Sequence, residues 1–501
     1  MSVNLIEEKA VKQLYPYQQQ AIDQIIGKLN DEEDGFNLLY QLPTGGGKTV
    51  IFSEIAKRFI EEHKKKVLIL THRIELCNQT SKMLTDFDVK NMIFDSKVKH
   101  IPFEEDYVSF VAMVETLNNR LRDNETNVDN IGLVIIDEAH YNSFRKLFKY
   151  FENASILGVT ATPLSSNMKL PMKDNYDQLI VGESIASLIK NRYLANAVTT
   201  TLQVNLSSLK VGANGDYTVA SSERLYGNFI MQEKLLNIYE EKSLGKKTLI
   251  FNNGIQTSKH VLETFKHAGY DVRHLDNTYT GQERKDIIHW FKVTPNAVLT
   301  SVGILTTGFD EPTVETIILN RATKSLTLYY QMIGRGSRII PGKNEFQVID
   351  LGNNVARFGL WGADIDWQRI FRSPLHYLNN IMNDEEIQRN FVYEMPEELR
   401  KHFSKSKEVH FDIEAAYKQA IHECLRPKVA LERSIEQQTQ ICVENSEDLF
   451  DALYLTRFLK DDIDARIKKY SYCICNSTVN YLKWLTEDYS RKLEASIRSR
   501  F

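Results

Sequence analysis

No apolar run in this 501-residue chain is long enough to cross a bilayer, which takes about 20 consecutive residues, so a helical membrane protein is excluded. Met1–Ala10 carries Glu7, Glu8 and Lys9 and lacks an apolar core, so it does not read as a signal peptide. Cysteine is scarce: Cys77, Cys424, Cys442, Cys473 and Cys475 are odd in number and scattered. That pattern excludes a disulfide framework and points to reduced thiols in a cytosol-like compartment, so a cytoplasmic location is expected. Excess charge is also missing, with 62 Lys and Arg against 66 Asp and Glu, a net of -4. Nothing in that balance advertises a nucleic-acid partner, although a local groove of Lys and Arg would suffice for one. Internal repeats and low-complexity tracts are absent.

What is present reads as globular protein, 42% hydrophobic and 26% charged, long enough for about three domains. β-rich apolar runs alternate with helical patterns through the first two thirds. One set is Phe36–Tyr40, Val67–Thr71, Val108–Ala112, Leu133–Ile136 and Ile156–Thr160. A second is Thr248–Phe251, Val272–Leu275, Ala297–Ser301, Thr316–Leu319 and Gln347–Ile349. Such alternation predicts α/β architecture with two tandem parallel-sheet domains, over residues 1–182 and 183–364. From 365 to 501 the β-rich runs stop, which predicts a mostly helical accessory domain with a break at Pro427. Gly212–Asp216 reads as a tight turn or a surface loop.

The first strand candidate runs straight into Leu42-Pro-Thr44-Gly45-Gly46-Gly47-Lys48-Thr49, and a helical pattern follows. Glycines there let backbone N–H groups converge on phosphate oxygens, and the next helix points its N-terminus at the anion. Lys48 is expected on the β- and γ-phosphates of ATP and Thr49 on Mg2+. Leu42 stands where the bare motif has glycine. Ile131–Ile136 ends in Asp137-Glu138-Ala139-His140, at the carboxyl end of a strand, where open sheets bind ligands. Asp137 is expected to hold Mg2+ and Glu138 to activate the attacking water.

In order along the chain, these and further motifs resemble the superfamily-2 helicases over roughly Leu14–Gly359, which implies two RecA-like domains. Leu14–Gln19 resembles the Q motif, with Gln18 on adenine. Leu70–Leu76 resembles motif Ia and Val111–Leu117 motif Ic, implying nucleic-acid contacts from Thr71, Arg73 and Thr116. Thr160-Ala161-Thr162-Pro163 resembles motif III, which couples hydrolysis to domain movement. Thr248–Asn252 resembles motif IV, followed by a strand-contacting Arg284. Val298–Asp310 resembles motif V, implying Thr300 on the strand, Gly308 near the γ-phosphate and Asp310 near the ribose. Gln331–Arg338 resembles motif VI. Gln331 would share in coupling, while Arg335 and Arg338 would neutralise charge developing on the γ-phosphate. Three apart, those arginines would share one face of a helix.

Tyr176–Ile189 and Val348–Gly359 are further similar to the RadD-like helicases, which implies DNA rather than RNA and a role in repair. Members of that group often carry a cysteine-rich zinc module. Here Cys473-Ile-Cys475 lacks the paired spacing, and the cysteines read as buried free thiols. Thr, Arg and Asn contacts to phosphate would be sequence-independent, and nothing reports recognition of a 2′-OH.

Trp367, Arg369, Phe371 and Arg372 read as junction packing ahead of base stacking. Arg491, Lys492, Arg498 and Arg500 read as a solvated helix face, and the C-terminal domain as a possible seat for protein partners. The motifs do not separate a helicase from a motor subunit of a larger anti-phage or restriction complex that moves DNA without unwinding it; an RNA helicase fits less well, as does an ATP-gated binding module, against which Lys48, Glu138 and Arg335 together argue. No carboxylate–carboxylate–lysine nuclease cluster appears outside the motor motifs.

Overall fold

The structure is a computed structural model and describes residues 13–32, 35–95, 108–123, 130–167, 169–306, 308–474 and 478–501. The reading of Met1–Ala10, Thr307 of the motif V segment and Cys475 lie outside the described residues. The chain divides into two compact units, one holding residues up to Leu202 together with Ser208–Met382, the other Gln203–Ser207 and Asn383–Phe501.

Strands that are apolar on every residue must be covered on both faces, and a parallel sheet between helices does this. The first unit contains two such sheets. The first sheet is built from β1 (Asn37–Gln41), β2 (Lys66–Thr71), β3 (Asn91–Phe94), β4 (Ser109–Met113), β5 (Ile131–Asp137), β6 (Ser155–Thr160) and β7 (Gln178–Val181). Their order is β3-β4-β2-β5-β6-β1-β7, every pair parallel. The second comprises β8 (Asn196–Thr201), β9 (Thr248–Asn252), β10 (Val272–Leu275), β11 (Val298–Val302), β12 (Thr316–Asn320) and β13 (Glu345–Asp350), ordered β10-β11-β9-β12-β13-β8 and also parallel. These are two RecA-like lobes. Every strand named from the sequence forms, within a residue or two. The short edge strands β3 and β7 carry no apolar run long enough to betray them.

Side-chain alternation splits the first lobe's core in two. Val67, Ile69, Leu133 and Ile135 face one side of the sheet, and Leu68, Leu70, Val134 and Ile136 the other. All are essentially fully buried, each worth roughly 1.5–3 kcal/mol. Parallel strands bring their carboxyl ends to one edge, so the segments after β1, β2, β5 and β6 emerge side by side. Those segments are the glycine loop, Arg73, Asp137-Glu138 and Thr160–Thr162.

Residues 365–382 do not join the helical domain that the sequence reading gave them to. The helix Trp367–Arg372 buries Phe371 in the first lobe's core, and Gln368 donates to Leu179 O at 2.8 Å. The apolar face of Trp367, Ile370 and Phe371 explains this, and it leaves the four junction residues in packing or surface contacts. Gly212–Asp216 is a tight turn closed by a Val211–Tyr217 bridge.

The second unit is helical in all its regular elements. Ile413–His422 and Val429–Glu444 are separated at Pro427, and Lys460–Cys473 and Val479–Arg498 complete the main core around Ile435, Ile467, Leu485 and Leu493. That core also encloses a polar chain in which Arg466 pairs with Asp462 at 2.8 Å and Ser434 bonds Tyr489 at 2.7 Å. Arg491 and Lys492 pair with Asp488, and Arg500 pairs with Glu436. The expectation of buried thiols holds for Cys77 and Cys442 and fails for Cys424, which is exposed, and Cys473, which is half-buried. Among the described residues no group of three or more His, Cys, Asp or Glu could hold a metal ion, and no helix is long and apolar enough to cross a membrane.

Candidate active site

The glycine loop turns sharply off β1 because Gly45 and Gly47 sit at φ of +94° and +85°, where a side chain is strained. A Cβ on Gly47 would also lie 2.5 Å from Gln18 Nε2. Leu42, the departure from the bare motif, is fully buried behind the loop and leaves no room for a Cβ on Gly46. The helix Lys48–His63 then starts directly from Gly47. Tyr17 donates to Gly46 O at 2.7 Å, and buried Gln18 is held against the loop, its Oε1 accepting from Tyr15 N.

At the end of β5 Asp137 and Glu138 are both buried. Glu138 adopts φ of +54°, a left-handed conformation that costs on the order of 1–3 kcal/mol for a non-glycine residue and marks functional sites. Its N–H donates to Asp137 Oδ1 at 3.0 Å. Burial and the neighbouring Glu138 push Asp137 above the usual carboxylate range. Burial also opposes ionisation of Glu138, but the cations Lys48 and Arg335 outweigh it and hold that carboxylate low. His140 Nδ1 is 3.4 Å from Glu138 Oε2 and bonds Thr160 Oγ1 at 3.2 Å; burial depresses the imidazole, which stays neutral, and Glu138 Oε2 has no hydrogen-bond partner.

The arginines come from the second lobe. They lie beyond the helix Leu326–Ile333, so the expectation that they share a helix face is wrong: the helix ends at Gly334, Arg335 sits in the turn that follows, and Arg338 in the irregular segment after it. Arg335 is tied to Thr306 O and Phe309 O. Burial pushes its guanidinium down to about 10, so it remains a cation at neutral pH. Arg338 pairs with Asp310 at 2.9 Å and donates across the seam to Gly45 O at 2.7 Å.

Thr44, Gly45, Gly47, Lys48, Thr49, Asp137, Glu138, Gly308, Asp310, Arg335 and Arg338 thus line one cleft of about 590 Å³. Burial lowers Lys48, whose ammonium reaches only Leu42 O at 3.4 Å. Thr44 Oγ1 and Glu138 Oε2 are buried there with no partner. A cleft with three cations, an unpartnered Thr44 hydroxyl and a glycine loop fits a polyphosphate, the acceptor Glu138 Oε2 fits a water beside it, and Thr49 with Asp137 fits the hard oxygen donor set that Mg2+ takes.

The two lobes meet at further points. Thr162 Oγ1 and Thr327 Oγ1 are 2.7 Å apart, Gln79 donates to Gly308 O at 2.7 Å, and Arg73 donates to Ile304 O at 3.1 Å. Thr160 supports this junction by accepting from Thr162 N, and buried Gln331 keeps its Nε2 unpartnered. Gln79, Thr327 and Tyr17 were missed in the sequence reading. Gln79 lies one turn beyond Leu76 on its helix, which is the signal that could have found it.

A second cleft of about 840 Å³ carries Arg73, Asn78, Asn277, Arg284, Lys285 and Ile304 in its walls. Arg284 braces it by donating to Tyr279 O and Asn277 O, each at 2.9 Å. Four expected nucleic-acid contacts are not on this surface. Thr71 is buried, donating to Arg73 O and lying 2.9 Å from Cys77 Sγ. Asn252 and Thr300 are buried too and bond each other at 2.8 Å. Their polar atoms hold strand ends together inside the lobes and cannot reach a phosphate. Thr116 sits half-buried in the first turn of the helix Val114–Arg122, away from this cleft's walls.

The chain matches two family models: "Type III restriction enzyme, res subunit" over residues 11–165 and "Helicase conserved C-terminal domain" over 230–340. It is 32% identical over 384 residues to the putative ATP-dependent helicase IRC3 of Saccharomyces cerevisiae, covering 70% of this chain and 54% of the yeast protein. With a 51.5 kDa protein of a Lactococcus phage the identity is 29% over 337 residues, covering 66% and 69%. A solved fragment of a putative HsdR subunit of a type I restriction enzyme from Vibrio vulnificus YJ016 shares the fold, with a TM-score of 0.56 at 21% identity over 72% of this chain and 68% of that one. The chain spans about half the length of the yeast relative.

Proposed function

The chain belongs to the superfamily-2 helicases, and from that premise we propose that it is an ATP-hydrolysing motor that moves along or unwinds DNA in repair, recombination or defence, in the cytoplasm. One observation carries the reading: Arg338, from the second lobe, reaches the glycine loop of the first, beside Lys48 and Glu138.

The chemistry follows from the side chains. Lys48 and the loop N–H groups bind the β- and γ-phosphates. Ionised Glu138 orients water and takes its proton. Arg335 and Arg338 neutralise charge building on the γ-phosphate, which requires the lobes to be together. Mg2+, held by Thr49 and Asp137, would add neutralisation of phosphate charge. Nucleotide therefore favours the closed pair, and loss of the γ-phosphate releases it. Gln18 beside the loop suits the adenine edge, and Asp310 the ribose.

The strand lies along the second cleft, gripped by Arg73, Arg284 and its neighbour Lys285. Buried Thr71, Asn252 and Thr300 shape that grip from beneath. A DNA substrate is supported by the restriction-subunit family model and by the RadD-like segments. The same family model favours a second reading, a motor within a larger restriction or defence assembly that translocates without strand separation, with partners seated on the helical unit.

Phosphate release measured with single strands, duplex, forks and RNA tests the proposal, with strand displacement run beside it. DNA should raise turnover well above the strand-free rate. Stimulation without displacement selects the translocating reading. Turnover indifferent to every nucleic acid would refute both.

A further inference from the structure

One lysine of the second lobe is buried without belonging to either cleft. Lys343 is 7% exposed and lines neither the nucleotide cleft nor the strand cleft. Its place is set locally. Ile340-Pro341-Gly342-Lys343 is a tight turn closed by Lys343 N donating to Ile340 O at 2.9 Å, with Gly342 at φ of +87° in the position that calls for glycine. From there Lys343 Nζ donates to Gly336 O and to Pro312 O, each at 2.8 Å. Burial is the largest influence on the ammonium and lowers it to about 8; Glu315 and Glu311 favour the cation and Arg338 opposes it, so it is charged at neutral pH.

A buried charge is costly, and a methionine would fill much the same volume without that cost. The two carbonyls account for its presence, because a charged donor makes the stronger hydrogen bonds. Gly336 directly follows Arg335, and Pro312 lies three residues past Phe309, whose carbonyl takes Arg335 Nη1 at 2.5 Å. Lys343 thereby ties the segment that carries Arg335 to the loop that anchors it. Arg335 ties the same two stretches together through Thr306 O and Phe309 O, but with the guanidinium donors that a phosphate would take. As Arg335 turns to the γ-phosphate it gives up donors to the loop. Lys343 stands off the cleft and keeps both of its own.

We propose that Lys343 is a positioning residue for Arg335, its ammonium holding the arginine's segment against the loop at 309–312 while the guanidinium engages the γ-phosphate. The inference rests on the ATPase reading and deepens it. Losing this hold costs transition-state stabilisation and leaves nucleotide binding in place, because the arginine meets charge that develops only during transfer.

Hydrolysis at saturating single-stranded DNA is measured for the full chain as wild type, Lys343→Met, Lys343→Gln, Arg335→Ala and the Lys343→Met/Arg335→Ala pair. Affinity for a fluorescent ADP is measured alone and with aluminium fluoride, which mimics the transferring phosphoryl group. Lys343→Met should lower kcat about 10- to 100-fold with KM for ATP within about twofold. It should weaken the aluminium fluoride complex by a similar factor and leave ADP binding unchanged, whereas damage to the fold would weaken both complexes alike. In the Arg335→Ala background it should add less than about twofold, since the two residues act as one unit. If Lys343→Met does not fold, Lys343→Gln decides: it keeps a donor for one carbonyl and should lose about threefold or more in kcat with the same split between complexes. A kcat within about twofold of wild type in a folded variant, equal loss of both nucleotide complexes, or full additivity with Arg335→Ala overturns the inference and leaves the ATPase reading standing. A wild type that does not hydrolyse ATP overturns both.

Discussion

Replacing Glu138 by glutamine isolates the proposed base from everything else in the cleft. The side chains are nearly the same size, and Glu138 Oε2 makes no hydrogen bond that the amide would break. The left-handed backbone at φ of +54° is already borne by a non-glycine residue, so its strain is unchanged. What is lost is a carboxylate able to accept a proton from water. Positioned acid–base groups contribute about 10²- to 10⁴-fold, and Glu138, ionised at neutral pH, is placed at the middle of that range. We expect turnover to fall about 10³-fold, or about 4 kcal/mol at 1.36 kcal/mol per tenfold. Nucleotide affinity should hold or tighten, because a negative charge beside the phosphates is gone. The assay pairs phosphate release at saturating DNA with titration of a fluorescent ADP, and a melting curve checks the fold. Turnover within twofold of wild type would dismiss Glu138 as the base. Loss of turnover together with nucleotide binding would assign it a structural role instead.

Arg335→Lys keeps a cation but loses the fork that binds two carbonyls and can meet phosphate, so kcat should drop by about 10²-fold or more with little change in KM for ATP; a change confined to KM would count against the finger role. Thr162→Val removes the 2.7 Å contact to Thr327 across the seam, and strand displacement per ATP should fall while basal hydrolysis changes by less than about fivefold, an interaction of this size being worth about 1 kcal/mol. His72 has both ring nitrogens buried without partners, and burial pushes it from its ordinary 6.5 down to about 4. The unfolded chain therefore binds a proton first, and stability drains away as pH falls from about 6.5 to 4. His72→Phe, which retains the ring packing on Tyr141 at 4.2 Å, should flatten that part of the urea-midpoint profile, and an unchanged slope would contradict the shift.

The phosphate loop was legible because its chemistry is local: a strand, glycines, Lys48-Thr49 and a helix follow one another without a gap. Asp137 and Glu138 were legible for the same reason, being fixed at the end of an all-apolar strand. Thr71, Asn252 and Thr300 show where this fails. All three lie on parallel strands covered on both faces, so a polar residue in a helicase-like motif can point into a lobe and serve its backbone. Motif spacing does not carry that direction. The position of Arg335 and Arg338 beyond a helix was signalled by Gly334 and Gly336, which a three-residue spacing argument overlooked. The pairing of Thr162 with Thr327, 165 residues apart, depends on how the lobes meet and leaves no local trace.

That meeting is written largely in backbone atoms. Arg73 donates to Ile304 O, Gln79 to Gly308 O and Arg338 to Gly45 O, so on each accepting side the side chain is immaterial. Position is fixed instead by how closely the backbones approach. A Cβ on Gly334 would sit 2.6 Å from Thr44 Cβ, and one on Gly45 2.7 Å from Ser337 Oγ. Gly45 is also required by the left-handed backbone of its own loop, but at both positions the nearest atoms a side chain would meet belong to the lobe opposite. The arginines can reach the phosphate loop only because two glycines on facing surfaces leave that space open. Closure and the charge neutralisation that depends on it are therefore one property of the seam, with Lys48 and Glu138 on one wall and Arg335 and Arg338 on the other.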